Sequence, residues 1–412
     1  DELFDDIFEF FESYNFTITE STPLEIEIAI DPEMLGNIYE HMVNIEEFEE
    51  EGKKAGIFYT PKTEIELMIR RALVEFLFNK TKIEKEKLYQ FIFQEQEEEV
   101  QDPFTNEEAN KVLDELENIL ILDPACGSGH YLVVAVQILY SLKEVLWQKL
   151  NKEHLDKYTE KKKIIERNIY GNDIKKWATE IAKLRLWLDL FVDAPEEILK
   201  NQYEAILPNL NFKIRCGDSL VQRLGNKLIA LRKISGFLKY KRDLLKELIR
   251  KKIAVYENKV KNEDAVNSEK KLLQNTTSDL ITETKQKIQN KNAEKHKLEN
   301  PQPAKTFLED QEVKIDKEEI KKLEKEIENL KKELEELKKF KEELSQMKEP
   351  PMIWDLAFAE VFEMKKGFDI VIANPPYVRQ EKIEDLNRFY SKGEYKEKLI
   401  EQIKEDWKYD YE

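Results

Sequence analysis

Residues 119–129 read Ile-Leu-Ile-Leu-Asp-Pro-Ala-Cys-Gly-Ser-Gly, and the fold class turns on them. Four apolar residues fit a short buried strand that stops at Asp123 and Pro124. Gly127 and Gly129 allow a tight turn and a close backbone approach to a ligand. A helical pattern follows, from about residue 131 to 150. A glycine turn opening into a helix favours a carboxylate or phosphate at the helix N-terminus. This turn is neither the dinucleotide fingerprint nor the phosphate loop that ends Gly-Lys-Ser/Thr.

The same alternation recurs on both sides of the turn. Residues 169–170 form a second apolar run, closed by Gly171-Asn172-Asp173 and followed by a helix to about Leu190. Residues 212–215 form a third, closed by Cys216-Gly217-Asp218, and 368–373 a fourth, closed by Asn374-Pro375-Pro376-Tyr377. Short apolar strands separated by helices predict an α/β fold with a doubly wound, mostly parallel sheet. Each strand ends in polar residues at its carboxyl end, where such sheets bind ligands.

Composition sets the bounds. The chain has 412 residues, 41% hydrophobic and 37% charged, with 11 Gly and two Cys. These values exclude a collagen-like chain, a disulfide scaffold and a wholly disordered chain. No run approaches the roughly 18 apolar residues of a membrane span, and no signal sequence opens the chain. The default is a soluble protein of the cytoplasm. The net charge of −18 is uneven. Residues 1–120 hold 32 Asp/Glu and 10 Lys/Arg, a net of −22, so the remainder carries +4. Charge alone neither supports nor excludes a nucleic-acid partner.

Four regions follow: a helical front at 1–118, the first half of the sheet at 119–220, a charged insertion at 221–350 and a second half at 351–412. In the front, 1–14 alternate acids with Leu3, Phe4, Ile7, Phe8, Phe10 and Phe11, and Pro32 opens a second helix. Thr60-Pro61 reads as a helix start, with Thr60 as cap and Pro61 in the first turn; Ile65, Met68, Ile69, Ala72, Leu73, Phe76 and Leu77 follow at helical spacing. The insertion holds 32 Lys/Arg and 25 Asp/Glu. Leu323, Ile327, Leu330, Leu334 and Leu337 alternate steps of four and three, a heptad seam whose phase slips at Phe340 and resumes at Leu344. Pro301 and Pro303 separate it from a stretch containing Leu238, Leu245 and Leu248. The simplest arrangement is an antiparallel helical hairpin or coiled coil projecting from the catalytic part. Its second helix, from about 317 to 348, would be roughly 48 Å long.

The fourth strand end carries the most specific chemistry. Two prolines hold its backbone rigid. The Asn374 side-chain oxygen and a proline carbonyl can accept hydrogen bonds from one amino group, and Tyr377 offers a face on which a flat ring can stack. Together with Asp123-Pro124-Ala125-Cys126-Gly127-Ser128-Gly129, this segment resembles the amino-group DNA methyltransferases that use S-adenosylmethionine, specifically the adenine-N6 class. That resemblance implies a class I, Rossmann-like methyltransferase fold. It implies that Asp123, Pro124, Ala125, Cys126, Gly127 and Gly129 cradle the cofactor, that Tyr59, Thr60 and Pro61 lie near its methionine end, and that Asp173 meets its ribose. It places Asp218 and Ser219 in the segment at the cofactor adenine, and it gives Asn374, Pro375, Pro376 and Tyr377 the target amino group and base. With Phe16-Thr17-Ile18-Thr19-Glu20 and Asp31-Pro32-Glu33-Met34-Leu35-Gly36, the chain is similar to the large Type IIG restriction–modification polypeptides. The resemblance covers about 1–220 and 351–390 and leaves out the charged insertion.

Its implied partners are double-stranded DNA and, in a longer parent polypeptide of which this chain would be a fragment, target-recognition and nuclease domains. An Asp with Glu-x-Lys nuclease core is not identified. RNA and glutamine methyltransferases share Asn-Pro-Pro-Tyr but differ in the glycine turn; an inert DNA-docking subunit is the alternative outside enzymes. Cys126 reads as a small packed residue rather than a thiol nucleophile. The four His, at 41, 130, 154 and 296, have no metal-ligand spacing. The basic run 223–259 reads first as a solvated helix face, with DNA phosphates as the alternative. Trp187 and the stretch 184–188 are expected to pack their helix on the sheet.

Overall fold

The structure is a computed structural model that describes residues 60–94, 103–153, 156–195, 207–230, 233–256, 259–300, 317–375, 385 and 390–407. The expectations for the acidic front, through Tyr59, lie outside the described residues. In chain order the elements are α1 (Lys62–Thr81), α2 (Lys85–Ile92), α3 (Asn106–Asn118), β1 (Ile121–Asp123), α4 (His130–Lys149), α5 (Lys157–Asn168), β2 (Ile169–Asp173), α6 (Lys176–Phe191) and β3 (Ile214–Cys216). Then come β4 (Gln222–Leu224), β5 (Lys227–Ile229), α7 (Lys233–Leu238), α8 (Arg242–Tyr256), α9 (Asn262–Glu299) and α10 (Lys317–Glu343). The last are α11 (Trp354–Ala357), α12 (Ala359–Met364), β6 (Ile370–Val371) and α13 (Lys392–Trp407). Two compact units result: Asp1–Ser219 with Lys365–Gln380, and Leu220–Met364 with Glu381–Glu412.

The first unit is α/β. Its sheet runs β3-β2-β1-β6, all parallel, with Ile121 opposite both Ile169 and Ile370. The chain moves outward from β1 to β2 and β3, then returns to place β6 on the other side of β1. That reversal makes the carboxyl ends of β1 and β6 a topological switch point, the usual ligand crevice of such sheets. Asp369 fixes β6 there: its carboxylate accepts from the Leu120 N–H at 2.9 Å and meets Lys365 at 2.7 Å. Helix α4 is buried on nearly all sides, through Leu132, Val134, Ala135, Val136, Leu139 and Leu146 among others. A helix apolar all round belongs in a core. Inside that layer Lys161 reaches Asp189 at 3.0 Å and Asp193 at 2.7 Å, tying α5 to the end of α6. Burial lowers the Lys161 pKa, but the two carboxylates outweigh it and leave it raised.

Two local expectations change here. Helix α1 starts one residue later than expected: Pro61 is its N-cap, with no side-chain cap, and the Thr60 hydroxyl is engaged elsewhere. Helix α6 packs through Ala178, Ile181, Ala182, Leu186 and Leu190, while Leu184 is 48% exposed. Trp187 sits at the core margin and donates to the Pro208 carbonyl at 2.9 Å. The 178–182–186–190 spacing is the buried stripe, and Leu184 falls on the opposite side of it.

In the second unit β4 and β5 form an antiparallel hairpin around Gly225-Asn226, with Gly225 at φ +62°. These strands were not expected from the sequence. Helices α9 and α10 form the helical hairpin. Lys291 pairs with Glu326, and Lys295 with Glu324 at 2.6 Å; the partner number falls as the first rises, so the helices are antiparallel. The partner of the heptad helix is therefore α9, not the stretch with Leu238, Leu245 and Leu248, which lies on α7 and α8. Helix α10 also ends at Glu343, short of 348. Phe340, at the phase slip, is buried. It packs on the β-hairpin turn, where a Cβ on Gly225 would come 3.2 Å from its own Cβ. The seam departs from the heptad because it changes partner.

Candidate active site

The turn after β1 is built on backbone groups. Asp123 is buried; one of its oxygens accepts from the Ala125 N–H at 3.0 Å, and the other has no hydrogen-bond partner. Burial first, then the nearby Asp173 charge, pushes its pKa up to about 7, against the opposing Ala125 hydrogen bond. The Cys126 N–H donates to the Asn172 carbonyl at 3.0 Å, and the Gly127 N–H to the Asp173 carboxylate at 2.9 Å. The other Asp173 oxygen accepts from the Lys175 N–H at 2.9 Å, at the start of α6. Ser128 is buried and accepts from Arg185 at 3.0 Å. Cys126 is buried too, and burial drives its thiol pKa well above the usual value, the opposite of an activated nucleophile.

The two glycines of the turn serve different needs. Gly129 has φ +84°, and a Cβ there would lie 2.8 Å from the Ala182 Cβ and 2.9 Å from its Cα. Gly129 thus lets α6 pack on the turn. Gly127 has φ +50°, and a Cβ there would meet nothing within 4 Å. Its side opens into space, as a cradle for a ligand requires.

Asn172 is the residue that sequence reasoning passed over. It is fully buried; its side-chain nitrogen donates to the Gly217 carbonyl at 2.8 Å and to the Ser219 hydroxyl at 2.7 Å. Ser219 donates onward to the Pro124 carbonyl. One clasp thereby joins the ends of β1, β2 and β3, and the Ser219 hydroxyl is engaged in it. The signal was only positional: a polar side chain one residue before the acid that ends β2. Asp218 sits half-buried in the same segment.

At the far side of β1, Asn374 follows β6. Its side-chain nitrogen donates to the Thr60 hydroxyl at 2.8 Å. Tyr131, in the first turn of α4, donates to the same hydroxyl oxygen at 3.3 Å and has Met68 sulfur at 3.6 Å. Thr60, just before α1, thus joins the two segments that the sequence singled out separately, and Tyr131 completes the cluster without having been expected. Pro61 and Pro375 are exposed. Tyr59, Pro376 and Tyr377 lie outside the described residues.

Family matches cover the glycine turn and the Asn374 segment between them, but not Thr60. The model of the Eco57I restriction-modification methylases matches residues 167–404, more than half of the chain. The chain belongs to the Eco57I restriction-modification methylase family. Its limits enclose 221–350, which the sequence resemblance had left out. The DNA-methyltransferase domain of MmeI matches residues 95–226, the part with the glycine turn. A protein of Methanocaldococcus jannaschii, provisionally named a type II restriction enzyme and methyltransferase, is 37% identical over 227 residues, 53% of this chain and 19% of that protein. DNA methyltransferase A of Bacillus subtilis is 28% identical over 113 residues, 26% of this chain and 13% of its own length. The chain therefore spans about a fifth or less of these relatives.

For this Eco57I-family chain, the α/β sheet is the class I methyltransferase fold. The residues of the first unit suit an S-adenosylmethionine site. Gly127 leaves room, and a buried Asp123 oxygen and a buried Asn172 oxygen have no protein partner. Among the described residues no group of His, Cys, Asp or Glu could hold a metal ion, and no helix is long and apolar enough to cross a membrane.

Proposed function

We propose that the protein is a site-specific DNA methyltransferase that uses S-adenosylmethionine and modifies adenine at N6. One observation carries this reading: Asn374 is anchored through its nitrogen to Thr60, beside the end of β1 and its glycine turn. S-adenosylmethionine would supply an activated methyl on a sulfonium, held by the 123–129 turn with Asp173 and Asp218, and by Tyr59, Thr60 and Pro61 at its methionine end. An adenine amino group is a poor nucleophile because its lone pair delocalises into the ring. An acceptor on each N–H favours the tetrahedral nitrogen that attacks. With the Asn374 nitrogen on Thr60, covalent geometry turns its oxygen to the other side of the amide, as the first acceptor. The Pro375 carbonyl is the second. The target base has to leave the duplex to be reached, and Tyr377 is the face on which it would stack.

Radiolabelled methyl transfer to duplex DNA, with mass spectrometry of the digested product, tests the reading. N6-methyladenine is expected; methylcytosine alone, or transfer only to RNA or protein, would reject it. Asn374→Ala should lower the transfer rate by on the order of 10²–10³ with cofactor affinity nearly unchanged. Thr60→Val, which keeps shape but loses the acceptor, should fall in the same direction by about tenfold. Thr60→Ser should restore most of the rate.

A further inference from the structure

In the second unit the helical hairpin balances its charge: α10 holds nine Lys and ten Glu, and several of its lysines have acidic partners. On α10, Lys332 pairs with Glu328 at 3.1 Å and Lys338 with Glu335 at 2.6 Å, and Lys339 meets Glu343 at 3.8 Å. Across the hairpin Lys291 and Lys295 pair with Glu326 and Glu324. The turn between α7 and α8 and the helix after it instead carry a local excess of positive charge. Residues 239–252 hold seven Lys/Arg and two Asp/Glu in a chain of net −18. Three of the seven are engaged: Lys241 with Asp279 at 2.7 Å, Lys251 with Glu247 at 3.0 Å, and Lys252, which is buried and donates to the Leu356 and Ala357 carbonyls. The other four, Lys239, Arg242, Lys246 and Arg250, are exposed and have no salt bridge among the described residues.

Arg242, Lys246 and Arg250 repeat every four residues, so they share one side of α8 at about 6 Å intervals. Its opposite side is buried through Leu245, Leu248 and Lys252. At the head of this stripe Tyr240 is 91% exposed. Its turn is ordered by hydrogen bonds from Tyr240 N–H to the Phe237 carbonyl at 3.2 Å and from Lys241 N–H to the Leu238 carbonyl at 2.9 Å. The ring is thus held out on an ordered turn, between Lys239 and Arg242 in sequence. Asp243 and Glu247 flank the row on one side; the Glu247 pKa is lowered first by its hydrogen bond from Lys251, with smaller contributions from the Lys271 and Arg250 charges.

We propose that this stripe, Lys239, Arg242, Lys246 and Arg250 with Tyr240, is a contact surface for the sugar–phosphate backbone of double-stranded DNA. Unpaired cations in a regular row gain from phosphate by releasing its counterions, which lysines already matched to glutamates cannot do to the same degree. An exposed Tyr hydroxyl is a usual phosphate donor. The contact carries no sequence information and holds DNA rather than reading it. The inference rests on the reading of the chain as acting on DNA, and it concerns binding alone.

The test is the affinity of the protein for a fluorescein-labelled duplex between about 50 and 200 mM salt. A variant with Lys239→Gln, Arg242→Gln, Lys246→Gln and Arg250→Gln is compared with one carrying Lys291→Gln, Lys332→Gln, Lys338→Gln and Lys339→Gln, which removes equal charge from paired sites. The first should flatten the slope of log affinity against log salt by about 0.9 per lost contact; the second should leave it close to wild type. Tyr240→Phe should lower affinity by about threefold with the slope unchanged, since it removes a neutral donor. Equal slopes in the two fourfold variants, or no duplex binding by the wild type at the lowest salt, overturn the proposal. If the first variant does not fold, Arg242→Gln and Arg250→Gln singly should each flatten the slope by about 0.9. Duplex binding without methyl transfer would refute the enzymatic reading and leave this surface standing.

Discussion

Helix α4 of the sheet unit buries side chains on nearly every side, whereas α10 of the other unit buries a seam of Leu323, Ile327, Leu337 and Phe340 and gives the rest of its surface to charge. The polar groups differ as sharply. Around the glycine turn they are buried and aimed at backbone atoms, as in the Asn172 clasp; along α9 and α10 they are exposed ion pairs. Exposed pairs contribute little each, so the hairpin depends on its seam. A buried polar group that loses its partner costs the full desolvation penalty. The sheet unit should therefore fail abruptly at single positions, and the hairpin gradually.

The largest expected effect is at Gly129. Gly129→Val forces a branched residue to φ +84° and into the α6 backbone. It should destabilise the sheet unit by on the order of 4 kcal/mol or more, visible in urea unfolding. Gly127→Ala, two residues away, meets no atom and should cost only the roughly 1–2 kcal/mol of its positive φ. It should leave a folded protein with weakened S-adenosylmethionine binding by calorimetry. Equal instability of the two would remove the distinction between a packing glycine and a cradle glycine.

Leu337→Ala comes next. Leu337 is fully buried in the seam, and its truncation should cost about 2–5 kcal/mol. Hydrogen exchange should rise along α10 and its partner α9 while amides of β1 and β2 keep their protection. Loss of protection in the sheet as well would show that the units are energetically one.

A smaller effect, dependent on pH, is expected at Asp123. Its pKa is about 7 in the folded chain, against about 3.9 for an exposed Asp in the unfolded chain. Between these values the folded state holds the extra proton, so the group's contribution falls as pH rises and is lost above about pH 7. Asp123→Asn removes this titration. Relative to wild type, the variant should gain Tm between pH 5 and pH 8. A Tm difference that stays constant over that range would show that Asp123 ionises normally.

Local chemistry made the core of the molecule legible. Polar residues at four strand ends, the 123–129 turn and Asn374-Pro375 all stand in the primary sequence, and strand–helix alternation is enough to predict a parallel sheet. The heptad of α10 was equally plain, since its period is a property of one helix. Its partner was not: nothing in Leu323–Leu337 says whether 238–248 or α9 completes the seam, and Phe340 read only as a phase slip because the residue it packs on, Gly225, lies in the turn of a strand pair too short to announce itself. Leu184 misled for a related reason, as an apolar residue inside an apolar helix does not reveal which side faces the sheet.

Sequence by itself determined the fold class, the glycine turn and the identity of the polar strand ends, because backbone dihedrals, period and residue type act over a few neighbouring residues. Only the tertiary structure decided that Asn374 meets Thr60 across 314 positions, that Tyr131 joins them, and that Asn172 clasps three strand ends. Those contacts depend on strand order. Placing β6 against β1, rather than beside β3, is a choice among whole-chain arrangements, and a buried amide finds its partners only after that choice has been made.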